Sequence, residues 1–389
     1  MKRLKLNKLD SRILMPLGIF LALILIVGLF VHFDTLEPKE MQQSDQLLPR
    51  TDNVKISDTT IQIGTYIDNI YNLSATAKGF DVDGWVWLKW SQKAQEYFEN
   101  RKLTPDQWLN FVNQVNDWDF KLDQLYQKPI KLKDGRYYQG YKFSGHFYVN
   151  EINFRRFPFQ TIKLPVIFEL ADFAEINTKV NTPELDNINE LQLLPDESSS
   201  NVGSFISIAG YKTTEFKIIS DVHKYGTNFG LGESDLKNIK TNQIIFETSY
   251  KPSVNAALLT LFLPLLIVMT LVLFSPMLSA ALWEVRLGIP PMAFLTLIFL
   301  QQIHKDKLPN LPYITYMDII YNICYFIILI LFVLFLWGSN RLDHANNEGK
   351  LAVINHINEI DDKVQIGLVV LLFTKVSGFK NRVNILINI

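Results

Sequence analysis

Glu284 and Arg286 stand two residues apart, immediately before an apolar run, Leu287 to Ile303, that holds no charge. A carboxylate at the start of a hydrophobic helix can act on passing ions, because it fixes a negative charge where little water screens it. The plain alternative is that both residues are ordinary interfacial charges between two membrane helices. The run ends in a polar break, His304-Lys305-Asp306-Lys307-Leu308-Pro309-Asn310-Leu311-Pro312, whose prolines make a rigid turn into the next hydrophobic segment. Bond-making chemistry has no comparable signal. The six histidines (His32, His146, His223, His304, His344, His356) are scattered and show no metal-ligand spacing. Gly230-Leu231-Gly232 lacks the rest of a dinucleotide fingerprint and reads as turn glycines. Neither an enzyme activity, nor a cofactor, nor a metal site is expected.

Such charges act on ions only if the apolar run is held across a membrane. The chain has 389 residues, a formal net charge of -1 and 48% hydrophobic residues. A near-zero charge gives no reason to expect nucleic acid as a partner. The average conceals two populations. Residues 33–250 are mixed and polar with strand-like patterning, whereas 13–32 and 254–338 are strongly apolar. That split reads as a membrane protein with one large soluble domain, the lipid bilayer being its first partner. Cys324 is the only cysteine and lies in a hydrophobic segment, so no intrachain disulfide is possible.

Lys2, Arg3, Lys5, Lys8 and Arg12 precede an uncharged run, Ile13 to His32. At ~1.5 Å per residue this run is long enough to cross a ~30 Å hydrocarbon core. The basic flank puts the N-terminus in the cytoplasm. The run reads as an uncleaved anchor. A cleaved signal peptide is the competing reading, but no small-x-small site follows. Residues 1–33 are therefore a basic tail and anchor, 34–53 a linker, and 54–250 an exported β domain.

Within that domain, Val82, Gly84, Val86, Leu88 and Trp90 share one face at period two, and Asp81, Asp83, Trp85, Trp87 and Lys89 share the other. Two tryptophans on the nominally outer face imply that something covers it. Thr104 and Pro105 look like a helix start, and Trp108, Leu109, Val112 and Val115 then recur at helical spacing. Strands are expected at 137–149, 162–170, 204–209, 213–223 and 242–250. Residues 177–201 read as a mobile loop and 226–241 as a long hairpin connection. About ten short strands suggest a β-sandwich. Three helices follow over 251–338, the first interrupted by Pro264 and the second spanning 284–304. Residues 339–363 read as a cytoplasmic loop, and 364–389 as a short fourth membrane segment with a C-terminal tail. The expected fold is an all-β extracellular or periplasmic sandwich followed by an α-helical transmembrane bundle, with an extra N-terminal transmembrane helix, in the inner membrane.

Three motifs in order carry a family resemblance. The first is Ile63-Gly64-Thr65-Tyr66-Ile67 through Trp90, the second Asn153-Phe154-Arg155-Arg156-Phe157-Pro158-Phe159, and the third Lys307-Leu308-Pro309-Asn310-Leu311-Pro312-Tyr313-Ile314-Thr315-Tyr316. Over roughly residues 54–338 the chain resembles the pentameric ligand-gated ion channels (the Cys-loop receptor superfamily) in their prokaryotic branch. The resemblance implies a ten-stranded sandwich, four membrane helices and a homo-pentamer around a central pore. Its pore-lining face would be Glu284, Gly288, Met292, Leu295, Phe299 and Gln302, with a carboxylate ring of Glu284 that prefers monovalent cations and a hydrophobic constriction at Leu295 and Phe299. Its gating interface would use Arg155, Arg156, Phe157, Pro158, Phe159, Lys251, Leu308, Pro309, Pro312 and Tyr313. Trp85 matches a position that contributes an aromatic wall to the ligand site, where an unknown small molecule or protons would act.

The chain also departs from the family pattern. Gly288 and Met292 replace hydroxyl residues common in cation-conducting relatives, Gln160 replaces an acid after the signature loop, and Lys251 is the nearest base before the first core helix. Pro290-Pro291 falls inside the pore segment. One solution starts the helix at Ile289 and leaves Glu284 on a loop, giving a regular helix of about 22 Å. The proline pair, Met292 and Phe299 favour a second reading, in which a non-conducting membrane receptor or scaffold on the same fold uses its exported sandwich to bind a ligand or a partner.

Overall fold

The computed structural model describes residues 58, 60–101, 104–150, 152–170, 192–224, 240–346 and 349–387. The expected anchor and linker lie outside the described residues, as do residues 226–239 of the expected hairpin connection. A β-rich region comes first and helices follow. The chain divides into two compact units: strands up to Asn153 and over Gln160–Pro252 form one, and Phe154–Phe159 joins the helices from Ser253 onward in the other.

The β unit begins with β1 (Thr60–Ser74) and β2 (Gly79–Trp90), paired antiparallel so that Thr65 faces Val86. A helix, α1 (Gln92–Arg101), follows. Then come β3 (Leu109–Phe111), β4 (Gln114–Val115), β5 (Lys121–Gln124), β6 (Ile130–Lys131) and β7 (Tyr137–Tyr148). The remaining strands are β8 (Ile162–Leu170), β9 (Gln192–Pro195), β10 (Asn201–Phe205), β11 (Tyr211–Lys224) and β12 (Lys240–Pro252). One sheet runs β10-β1-β2-β7-β4, with β5 and β6 also on β7 and β9 also on β1; the other runs β11-β12-β8-β3. The period-two pattern of β2 buries Val82, Val86, Leu88 and Trp90 and leaves the alternate residues half-exposed. An aromatic seam joins the inner faces. Phe111 of the second sheet meets Phe143 of the first at 5.3 Å between ring centroids and Phe168 of its own sheet at 4.7 Å.

Two expectations fail here. Residues 104–115 are not a helix. Pro105–Trp108 makes a single 3-10 turn, with Gln107 Oε1 accepting from the Thr104 N–H, and the chain then enters β3. Strand pairing of Leu109 and Phe111 with Leu170 and Phe168 outweighs the helical spacing, because both side chains are buried in the pleated ladder. Of the expected loop over 177–201, residues 177–191 lie outside the described residues, and the remainder contains strand. Gln192–Pro195 and Asn201–Phe205 both add to β1 in parallel.

In the helical unit, α2 (Val254–Met277), the segment from Ala280 to Lys305, and α4 (Tyr316–Asp343) are each long and apolar enough to cross a membrane. The regular helix within the second is α3 (Trp283–Lys305). In α2 a π turn over Leu258–Phe262 precedes Pro264, which widens the backbone where the proline ring would meet the carbonyl four residues back. Contrary to the shortened helix considered above, α3 runs unbroken through Pro290 and Pro291, so Glu284 sits in its first turn. Two missing N–H groups are tolerated where packing holds the rest of the helix. The last element, α5 (Lys350–Ile387), is one helix. It corrects the expected loop over 339–363, because α4 continues to Asp343 and α5 already begins at Lys350. The fourth membrane segment expected from residue 364 onward does not start a helix of its own but continues α5.

Candidate functional site

The helical spacing of α3 sorts its residues into two faces. Arg286, Pro290, Ala293, Leu297 and His304 are buried against the rest of the unit. Glu284, Gly288, Met292, Leu295, Phe299 and Gln302 all lie on the opposite, exposed side of the single chain. Met292, Leu295 and Phe299 are 74%, 53% and 60% exposed. The stripe covers about 27 Å at 1.5 Å per residue, close to the hydrocarbon thickness of a bilayer. A side chain at Gly288 would meet nothing within 4 Å. This face carries a carboxylate at one end, an amide at the other and bulky apolar groups between.

At the Gln302 end, the loop between β7 and β8 enters the helical unit. The Tyr313 hydroxyl accepts from the Phe154 N–H at 3.0 Å, and the Arg155 guanidinium lies 5.4 Å from the Tyr313 ring centroid. Phe159 stacks on Phe262 of α2 at 5.9 Å. Phe157 borders a small crevice with His304, Leu308 and Thr315. Pro158 is buried, Arg156 and Pro312 are exposed, and Pro309 is half-buried. Arg155 thus meets Tyr313, Phe157 shares a crevice with Leu308, and Phe159 packs on α2 instead.

Side-chain caps hold this end. The Thr315 hydroxyl donates to Asp318 Oδ2 at 2.8 Å and accepts from the Asp318 N–H at 3.3 Å, a capping box that starts α4 after the Pro-containing turn. Gln301 Nε2 donates to Asp318 Oδ1 at 3.0 Å, and the Tyr325 hydroxyl donates to Gln301 Oε1 at 2.8 Å. His304 Nδ1 and the Tyr321 hydroxyl are 2.8 Å apart. Together these bonds tie the end of α3 to α4.

The Glu284 end is held differently. Arg286 forms a buried ion pair with Asp361 of α5, and its guanidinium lies 4.3 Å from the Phe335 ring centroid of α4. Asn358 Oδ1 accepts from the Ala280 N–H at 3.1 Å, and Gln365 Nε2 donates to the Leu273 carbonyl at 2.8 Å. Sequence reasoning missed these partners because it read residues up to 363 as a loop. A signal was present: Ile357, Asp361, Val364 and Leu368 recur at steps of three and four, and Ile357, Asp361 and Leu368 are buried.

The other candidates belong to the β unit. The Trp85 indole N–H donates to Asp68 Oδ2 at 2.9 Å, and Lys142 Nζ lies 5.7 Å from its ring centroid. Trp87 lies over Gly64, where an added Cβ would sit 2.4 Å from the indole. Its N–H donates to Asp196 Oδ2 at 2.9 Å, and Lys89 Nζ reaches the same oxygen at 2.6 Å. Burial alone would raise the Asp196 carboxyl, but hydrogen bonds from Lys89, Trp87 and Ser198 and the Lys89 charge hold it below the usual carboxylate range. The β9–β10 segment is therefore what covers Trp87. Lys251 is exposed and faces Lys212 across the β11–β12 ladder, and Gln160 is buried.

Among the described residues no group of three or more His, Cys, Asp or Glu side chains could hold a metal ion. The chain matches no protein-family model, and no curated protein matches it.

Proposed function

We propose that the chain is one subunit of a pentameric ligand-gated ion channel of the Cys-loop type, with α3 lining a cation-preferring pore. In this reading the β unit is an exported sandwich that receives an unknown small molecule or protons, and the N-terminus is cytoplasmic. The observation that carries it is the seating of Phe154–Phe159 among the helices, with the Phe154 N–H on the Tyr313 hydroxyl and Phe159 on Phe262. This loop is continuous with β7 and β8, and the linker it meets follows α3 directly. In this reading, movement of β7 and β8 would reach the linker after α3 through that covalent connection.

Five exposed faces of α3 around an axis would place a ring of Glu284 at one mouth and rings of Met292, Leu295 and Phe299 along the bore. The carboxylates attract cations, and the apolar rings gate by dewetting. One observation favours the second reading, a non-conducting receptor or scaffold: Met292, Leu295 and Phe299 put three bulky apolar rings in succession, a long stretch to wet.

The test is the current carried by purified protein in planar bilayers under a KCl gradient, for wild type and Leu295→Ser. The serine ring wets the constriction and raises spontaneous opening without agonist. Cation-biased reversal that Glu284→Gln abolishes supports the channel. Silence from both proteins, in particles shown to be pentameric, selects the receptor; any other stoichiometry removes the pentamer.

A further inference from the structure

Arg286 is the awkward residue for a cation-preferring mouth. It lies two positions from Glu284 on the same turn of α3, and a bare guanidinium there would offset the carboxylate's field. Water does not screen it, because Arg286 is 3% exposed. The structure gives that charge a partner from the far end of the chain. Asp361 is fully buried and paired with Arg286, and Phe335 lies against the guanidinium.

The carboxylate is held in place from both sides along α5. Asn358, three residues before it, binds the Ala280 N–H, and Gln365, four residues after it, binds the Leu273 carbonyl. These three polar residues share one face of α5. Arg341, Asp343, Glu359 and Lys363 at this end are exposed and Asp362 is half-exposed, so water and salt screen them. Glu284, Arg286 and Asp361 together carry a formal charge of -1; without Asp361 they carry none.

We infer that Asp361 is the counter-ion that keeps Arg286 from cancelling Glu284, and that this pairing sets which sign of ion the α3 mouth prefers. The inference rests on the channel reading and adds a selectivity-determining residue on the last helix, outside the pore-lining face. Asp361 acts through Arg286, so it is a positioning residue, and reversal potential is the readout that a merely structural role would not move.

The experiment compares the full-length wild type, Asp361→Asn, and Arg286→Met/Asp361→Leu in bilayers under a KCl gradient. Loss of cation bias is expected in Asp361→Asn. Retained bias is expected in the double variant, which removes both buried charges and keeps the sum. The double variant carries the test by itself if Asp361→Asn does not fold, since loss of its bias overturns the inference. Bias retained in a folded Asp361→Asn overturns the inference and leaves the channel reading standing. Silence in the wild type removes the channel reading, and the ion preference with it. Phenylglyoxal labelling followed by peptide mass spectrometry reads the pair without current. Arg286 should be protected in the wild type and lose that protection in Asp361→Asn, with Arg155 as the exposed reference; equal labelling of Arg286 in both proteins overturns the pairing.

Discussion

Two carboxylates, one in each unit, meet a basic side chain inside the protein, and they differ in how much water they keep. Asp361 and Arg286 are 0% and 4% exposed at the side chain, whereas Asp196 and Lys89 are 7% and 18% exposed. Asp196 also collects donors from Trp87 and Ser198. The Arg286 guanidinium has an aromatic face beside it. A sealed pair is strong only as a pair, because either charge alone would face a low dielectric. A pair that keeps some water loses less when one partner is removed, because solvent can take that partner's place.

The largest effect that would sharpen this contrast is expected from Asp361→Ala. Leaving Arg286 buried without its carboxylate should cost about 3–5 kcal/mol, read as a fall in the unfolding midpoint of the detergent-solubilised chain. Arg286→Met/Asp361→Leu should recover most of that loss, because apolar residues of similar volume replace a buried pair at little cost. An Asp361→Ala protein as stable as wild type would break the comparison.

Asp196→Asn should cost about 2 kcal/mol, the scale of hydrogen bonds to a charged group. Its pH signature is distinct. The folded Asp196 carboxyl titrates below its ordinary value near 3.8, so its stabilisation is complete above that value and is lost as pH falls through the lower folded value. Asp196→Asn should therefore flatten the acid limb of the stability curve, measured by midpoints from pH 6 down to about pH 2. An unchanged acid limb would mean that the donors around Asp196 do not favour its charged form. The smallest effect belongs to the i,i+4 pair Lys363–Glu359, whose side chains are 71% and 65% exposed. Glu359→Gln should leave the unfolding midpoint where it is, since water already screens such a pair.

Much of the β unit was legible in the chain. The alternation from Val82 to Trp90 reappears as burial; both outer tryptophans stay half-exposed, and Trp87 is capped by Asp196. The 104–115 segment was misread because a short apolar run fits both periods, and its pairing with β8 lies about 60 residues away in sequence. The 192–205 strands escaped notice because parallel edge strands need a partner, here β1, rather than a strong pattern of their own. For the candidate site, the six positions that the family resemblance put on one face of α3 are all exposed in the single chain. The company of the buried face was not legible.

Residue type and period are enough to specify a β-rich region followed by apolar helices, because they decide which surfaces shun water. The sequence also marked Glu284 and the Phe154–Phe159 segment as places to look. Three features emerge from the folded chain alone: α3 stays helical through two prolines, Tyr313 receives the Phe154 N–H, and Asp361 answers Arg286. The last two depend on contacts between residues far apart in the chain. Such pairings are fixed by packing and by the need to compensate a buried charge, and local pattern carries no record of the partner.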